Sequence, residues 1–205
     1  MFFLHSILRG VVLAALVLAS GSSGASARHF SRVVIDPGHG GHDRGGWTGK
    51  VYEKHLALDT ALRLERYLQA SGYQVTMTRK SDTFISLSRR AAIGNRYRDS
   101  IFVSLHYNHT WRRSVSGLET FYYRAESKPL AEAIQQSMLR RVKASNRGAK
   151  FGRYQVLRAS RNPAVLVECG FVSNTRERAR MKKGAYRDAV ARGIAEGIAN
   201  YRLSR

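Results

Sequence analysis

Residues 33–41, VVIDPGHGG, constrain this chain more than any other stretch. They open as a β-branched run, Val33-Val34-Ile35, which reads as a buried strand. They close on Asp36-Pro37-Gly38-His39-Gly40-Gly41, which is unsuited to a ladder. Proline lacks a backbone donor and glycine admits positive φ. The strand is expected to stop there and leave His39 on a loop. In open α/β sheets, ligands bind just beyond the carboxyl ends of strands. The run GHGGHDRGG has no Lys-Ser/Thr ending, so it is not a phosphate loop.

The rest of the chain interleaves helical and strand patterns. Residues 54–70 predict a helix, with Ala57, Ala61, Leu64 and Leu68 on one face and Gly72 as the stop. Residues 73–79 (YQVTMTR) read as the second strand. Residues 87–95 read as a short helix with Ser86 as N-cap. The third strand, 101–106 (IFVSLH), is apolar enough to be central. Residues 117–123, 154–157 and 164–169 complete a set of six strands. Helices are expected over 129–145, with Leu130, Ile134, Met138 and Val142 inward, and over 185–201, with Val190, Ile194, Ile198 and Tyr201 inward. Residues 146–153 are left as a basic loop, too short for a stable extra helix. The pattern predicts one α/β domain: a mainly parallel, twisted sheet of about six strands with helices on both faces.

The first 27 residues are set aside. Residues 2–9 end on Arg9, residues 11–19 are apolar, and Ala25-Ser26-Ala27 fits a small-x-small cleavage site. Together they read as a secretory signal peptide. The catalytic domain is then 28–205, and an exported protein of the periplasm or cell wall is expected. Without that leader the chain keeps 34 basic and 14 acidic residues, a formal charge of +20. Such a balance implies an anionic partner. Export points to an envelope polymer, and no base-reading module supports nucleic acid. Residues 139–161 hold eight basic side chains and no acidic one, a candidate face for anionic wall or membrane-surface polymers. The lone cysteine, Cys169, permits no internal disulfide and reads as a small core residue. A monomer is expected.

Three strands end on residues that can bind metal or move protons: His39 after the first, His106 on the third, Glu168 on the last. Glu53 starts the first helix, just past the His39 loop. Parallel strands share one edge, so these positions can converge. Two imidazoles and a carboxylate form a common catalytic zinc set. Glu168, at the end of an apolar strand, needs a partner or a task. His42 is a possible substitute ligand, whereas His55 and His109 read as surface residues. Glu119 falls on a strand, where it can orient a ligand or the substrate.

Seven motifs in this order resemble the zinc-dependent N-acetylmuramoyl-L-alanine amidases, the type 3 amidase domain family. They are IDPGHGG at 35–41, YEK at 52–54, TR at 78–79, LSRRAAIGN at 87–95, SLHYN at 104–108, GLETFYY at 117–123 and PAVLVECGFVSN at 163–174. The resemblance implies that His39, Glu53 and His106 ligate zinc, that Glu168 is the catalytic glutamate and that peptidoglycan is the substrate. Arg90, Asn108 and Glu119 are candidates for the surrounding shell. Tyr107 stands where the family often has alanine and is expected to narrow the groove beside His106. Some relatives carry an inserted helix that plugs the site. The connections here leave no length for one, so an open site, active without a partner, is expected. The alternative is an amidase-like regulator or wall-binding protein without activity.

Overall fold

Strand β1 (Arg32–Pro37) sits second in a six-stranded sheet of order β4-β1-β5-β8-β6-β7. The other members are β4 (Gln74–Met77), β5 (Ser100–Asn108), β6 (Leu118–Tyr122), β7 (Asn146–Phe151) and β8 (Ala164–Phe171). The computed structural model describes residues 29–204, and the leader read over 1–27 lies outside them. Only the β6–β8 pairing is antiparallel among the strands of this sheet, so the expectation of a mainly parallel sheet holds. A hairpin of β2 (Trp47–Thr48) and β3 (Val51–Tyr52) leads into α1 (Glu53–Ala70).

Period-2 alternation sends the strand side chains to two unequal layers. Val33, Ile35, Ile101, Val103, Leu105, Val165 and Val167 face a large core. It is closed by α1, α3 (Lys128–Arg141) and α6 (Gly184–Leu203). The expected inward faces of these helices are all buried. At Gly193 and Gly197 a Cβ would lie 2.8 Å and 2.5 Å from the Cα atoms of Met138 and Ile134, so α6 approaches α3 backbone to backbone. On the opposite face, Val34, Phe102 and Leu166 meet a smaller cluster. Among the described residues, α2 (Leu87–Gly94) and the five-residue α4 (Gln155–Ala159) alone contribute helix side chains to it. Ser86 caps α2 as expected, its hydroxyl accepting from the Arg89 N–H at 3.4 Å.

Four readings need correction. Residues 154–157 do not form a strand; they open α4, where Val156 and Leu157 plug the thin face. The sixth strand is β7, within the stretch read as a loop, and it pairs in parallel with β6. It carries little apolar periodicity because it is an edge strand, with Arg147 and Lys150 on it. The helix expected over 129–145 ends at Arg141, though Val142 stays buried. Strand β1 runs on through Pro37, which pairs with Leu105, before the loop begins. A further helix, α5 (Thr175–Met181), follows β8 and is too short to show a helical period.

Candidate metal centre and active site

The loop after β1 is held from beneath by two buried arginines. Arg90 donates to the carbonyls of Pro37 and His39, both at 2.6 Å, and pairs with Asp36 at 2.8 Å. Arg79 donates to the carbonyls of Pro37 at 3.0 Å and Gly38 at 2.6 Å. Asp36 also accepts from Thr78 and Ser104 at 2.6 Å and 2.7 Å, so no polar atom of this clamp is left to desolvation alone. Burial and the neighbouring Arg90 charge lower Arg79 to about 10. The clamp keeps His39 at φ 59°, the one positive φ outside glycine among the described residues. That conformation costs on the order of 1 kcal/mol for an L-residue.

His39, Glu53 and His106 converge above this loop, with one ligand-type atom from each lying within 4.8 Å of the others. His39 Nε2 lies 3.1 Å from Glu53 Oε1, and His106 Nδ1 lies 2.8 Å from the same oxygen. The two imidazoles stand nearly perpendicular, with centroids 5.0 Å apart. Backbone N–H groups of Gly46 and Tyr107 donate to Glu53 at 2.6 Å and 3.0 Å. Gly38 is required because a Cβ there would meet the His106 ring at 2.4 Å. Burial favours the neutral Glu53 carboxyl, but hydrogen bonds from His106 and His39 outweigh it and hold Glu53 well below the usual range. Burial likewise opposes a charged His39, but Glu53 and Asp43 prevail and raise it.

Glu168 of β8 is register partner to His106 in β5 and to Glu119 in β6. Its parity matches that of His106, so both project from the thin face, where α4 leaves the sheet edge open. Among the described residues, Glu168 Oε2 is the one buried side-chain oxygen with no hydrogen-bond partner. Burial and the Glu53 and Glu119 carboxylates push Glu168 well above the carboxylate range. Glu119 is itself tied down, accepting from Asn108 at 2.8 Å, Arg147 at 2.9 Å and Lys150 at 2.7 Å. Burial works against its charge, but the bonds from Lys150 and Arg147 win and lower its pKa. His39, Glu53, His106 and Glu168 line one cavity of about 390 Å³, with Asn108 and Tyr154 on its walls.

Of the residues singled out for the site, His39, Glu53, His106, Asn108 and Glu168 line this cavity. Arg90 and Glu119 act from behind, on the loop and beside Glu168. Tyr107 corrects an expectation. It points into the large core, bonded to Thr60 at 2.7 Å, and does not narrow the groove. His42 packs its ring on Phe84, and His55 lies 3.6 Å from Asp82; neither joins the cluster. His109 is exposed but lines the cavity rim. Two residues were not anticipated. Asp43 accepts from His39 Nδ1 at 2.8 Å and so turns Nε2 toward Glu53. Its only sequence signal is a carboxylate four residues after a loop histidine. The sequence shows Arg79 only as half of the TR motif at 78–79.

These features define a class: a single α/β domain with a candidate metal centre at the carboxyl edge of a mainly parallel sheet. The comparisons narrow it. The family model for N-acetylmuramoyl-L-alanine amidase matches residues 33–200, and the chain belongs to that family. It is 35% identical over 173 residues to N-acetylmuramoyl-L-alanine amidase LytC of Bacillus subtilis, covering 82% of this chain and 35% of that protein. It is 34% identical over 172 residues to the probable cell wall amidase LytH of Staphylococcus aureus, covering 82% of this chain and 57% of that one. The chain therefore spans about a third to somewhat over half of these curated relatives. Among solved structures, the N-acetylmuramoyl-L-alanine amidase from Clostridium difficile 630 superposes with a TM-score of 0.82 at 36% identity, covering 87% of this chain and all of that one.

Proposed function

We propose that this chain is a zinc-dependent amidase that hydrolyses the bond between the lactyl group of N-acetylmuramic acid and L-alanine in peptidoglycan. The observation that carries the reading is the orphaned Glu168 oxygen in the same cavity as the His39–Glu53–His106 group. Two nitrogens and a carboxylate oxygen suit zinc, and Asp43 fixes the tautomer of His39. Zinc held by His39, Glu53 and His106 would supply Lewis acidity, making water a nucleophile near neutral pH (pKa toward ~7) and polarising the scissile carbonyl. Glu168 has a free oxygen with which to take the proton of the attacking water. The same carboxyl then returns that proton to the departing amide nitrogen, and its raised pKa suits the acid half of the cycle. The products are a lactyl carboxylate on the sugar and a peptide with a free L-alanine amino terminus.

The apolar leader supports export to the periplasm or wall. Among the described residues no helix is long and apolar enough to cross a membrane. The basic residues of 139–161 support capture on anionic envelope polymer, although Arg141, Arg147 and Lys150 already pair with Glu196 or Glu119. Retention on isolated walls should fall as salt rises; retention that ignores salt would remove electrostatic capture. The bond itself is tested by digesting purified peptidoglycan and mass-analysing the released peptides. Free L-alanine amino termini are expected. Release of sugars alone, or cuts between peptide residues, would overturn the assignment.

A further inference from the structure

The chain has two tryptophans, Trp47 and Trp111, and both line one surface hollow of about 370 Å³. They are 54% and 80% exposed. An indole carries a large apolar surface, and leaving two of them open to water in one place needs a reason. The core does not supply one, since neither ring belongs to either buried cluster.

The elements that carry these rings are also those that build the metal centre. Trp47 pairs with Tyr52 across the β2–β3 hairpin, and Glu53 follows directly. Gly46, just before Trp47, donates its N–H to the Glu53 carboxylate. Trp111 lies three residues beyond Asn108, the last residue of the strand that bears His106. His109 lines both this hollow and the catalytic cavity, so the two share a wall. The hollow therefore lies directly beside the catalytic cavity.

The remaining lining is Thr48, Thr110 and Ser173, which carry hydroxyls, with Gly49 and Arg113. Among the described residues that line the hollow, none is acidic. Ser173 Oγ accepts from the Thr110 N–H at 3.2 Å, which leaves its own proton to give. Arg112 covers one face of the Trp111 ring at 4.7 Å. With the ring 80% exposed, its other face is open to a ligand. Flat aromatic faces beside short hydroxyl side chains suit a pyranose ring, whose C–H face stacks on indole while its hydroxyl and N-acetyl groups hydrogen-bond.

We infer that Trp47 and Trp111 form a binding site for the glycan strand, gripping N-acetylated sugar units next to the one whose lactyl amide is cut. The choice of glycan rests on the proposed amidase reading. The site itself does not depend on any bond being cleaved.

Because both tryptophans of the chain line this hollow, emission excited above the tyrosine absorption band comes from these two rings. Purified protein is titrated with peptide-free glycan of alternating N-acetylglucosamine and N-acetylmuramic acid, and separately with sugar-free stem peptide. A saturable change in emission with glycan, absent with stem peptide, is expected. Trp111→Ala removes an exposed ring and should fold normally; it should weaken glycan affinity about tenfold by calorimetry. No emission change with glycan, an equal change with stem peptide, or unaltered affinity in Trp111→Ala would each overturn the site. Binding of this glycan by protein that fails to hydrolyse intact peptidoglycan would count against the amidase reading and leave this one standing. Hydrolysis without an emission change would do the reverse.

Discussion

The two faces of the sheet do different work. One lies under three long helices and buries an almost wholly apolar layer. The other is covered, among the described residues, by α2 and α4, and along the strands it gives way to Asp36, His106, Glu119 and Glu168. Both faces come from the same strands, separated only by odd and even positions. Stability can therefore be concentrated on one side, while the other keeps a strained histidine, an unpaired carboxyl oxygen and an open edge. A buried carboxylate without a partner is costly. It persists here because the opposite layer holds the sheet regardless.

Perturbations that touch one face should separate from those that touch the other. The largest effect is expected from a chelator. Turnover should vanish and return with added zinc, while circular dichroism shows the fold retained. Loss of the fold with the metal would mean that the thin face also carries stability.

Arg90→Ala comes next, because it breaks the pair with buried Asp36 and frees the His39 carbonyl. Breaking such a pair costs about 3–5 kcal/mol. Denaturant unfolding should show that loss together with reduced turnover. A variant hurt in only one of the two would separate the clamp from the site.

Ile194→Ala, fully buried on the thick face, should cost about 2–5 kcal/mol by cavity formation. Turnover per folded molecule should stay within about twofold of the parent, as for a site with no shared partners. A collapse of turnover in the folded fraction would show that the faces are coupled.

The smallest effect concerns pH. Asp59 on α1 accepts from Arg63 and from Arg187 of α6, tying two thick-face helices together. Burial raises its pKa, but these bonds outweigh burial and hold it below the usual range. A depressed folded pKa contributes stability above the unfolded value, about 3.9, and that stability is lost as pH falls through the folded value. Asp59→Asn should flatten the acid limb of the stability profile and leave neutral-pH turnover unchanged. An unchanged acid limb would mean that the pair is too solvated to matter.

The two faces also differed in how far they could be read from sequence. Apolar period reports burial, so Leu64, Ile134 and Ile194 marked the thick layer directly. The site residues were legible because they follow apolar runs, as Glu168 follows residues 164–167, or sit among glycines, as His39 does. Strand β7 was missed because an edge strand with Arg147 and Lys150 has no apolar alternation. Helix α4 was misread because five residues carry too little pattern, and the stretch 154–157 holds the β-prone Tyr154 and Val156. Asp43 and Arg79 act through hydrogen bonds fixed only once the loop has folded.

The central claim is that Glu168 moves the proton beside a metal it does not hold. The most direct test is Glu168→Gln, with zinc content and peptidoglycan hydrolysis measured on the same sample. Zinc should bind as in the parent, and turnover should fall about 10³-fold, within the range for a lost general base. Parent-level turnover in this variant would contradict the claim.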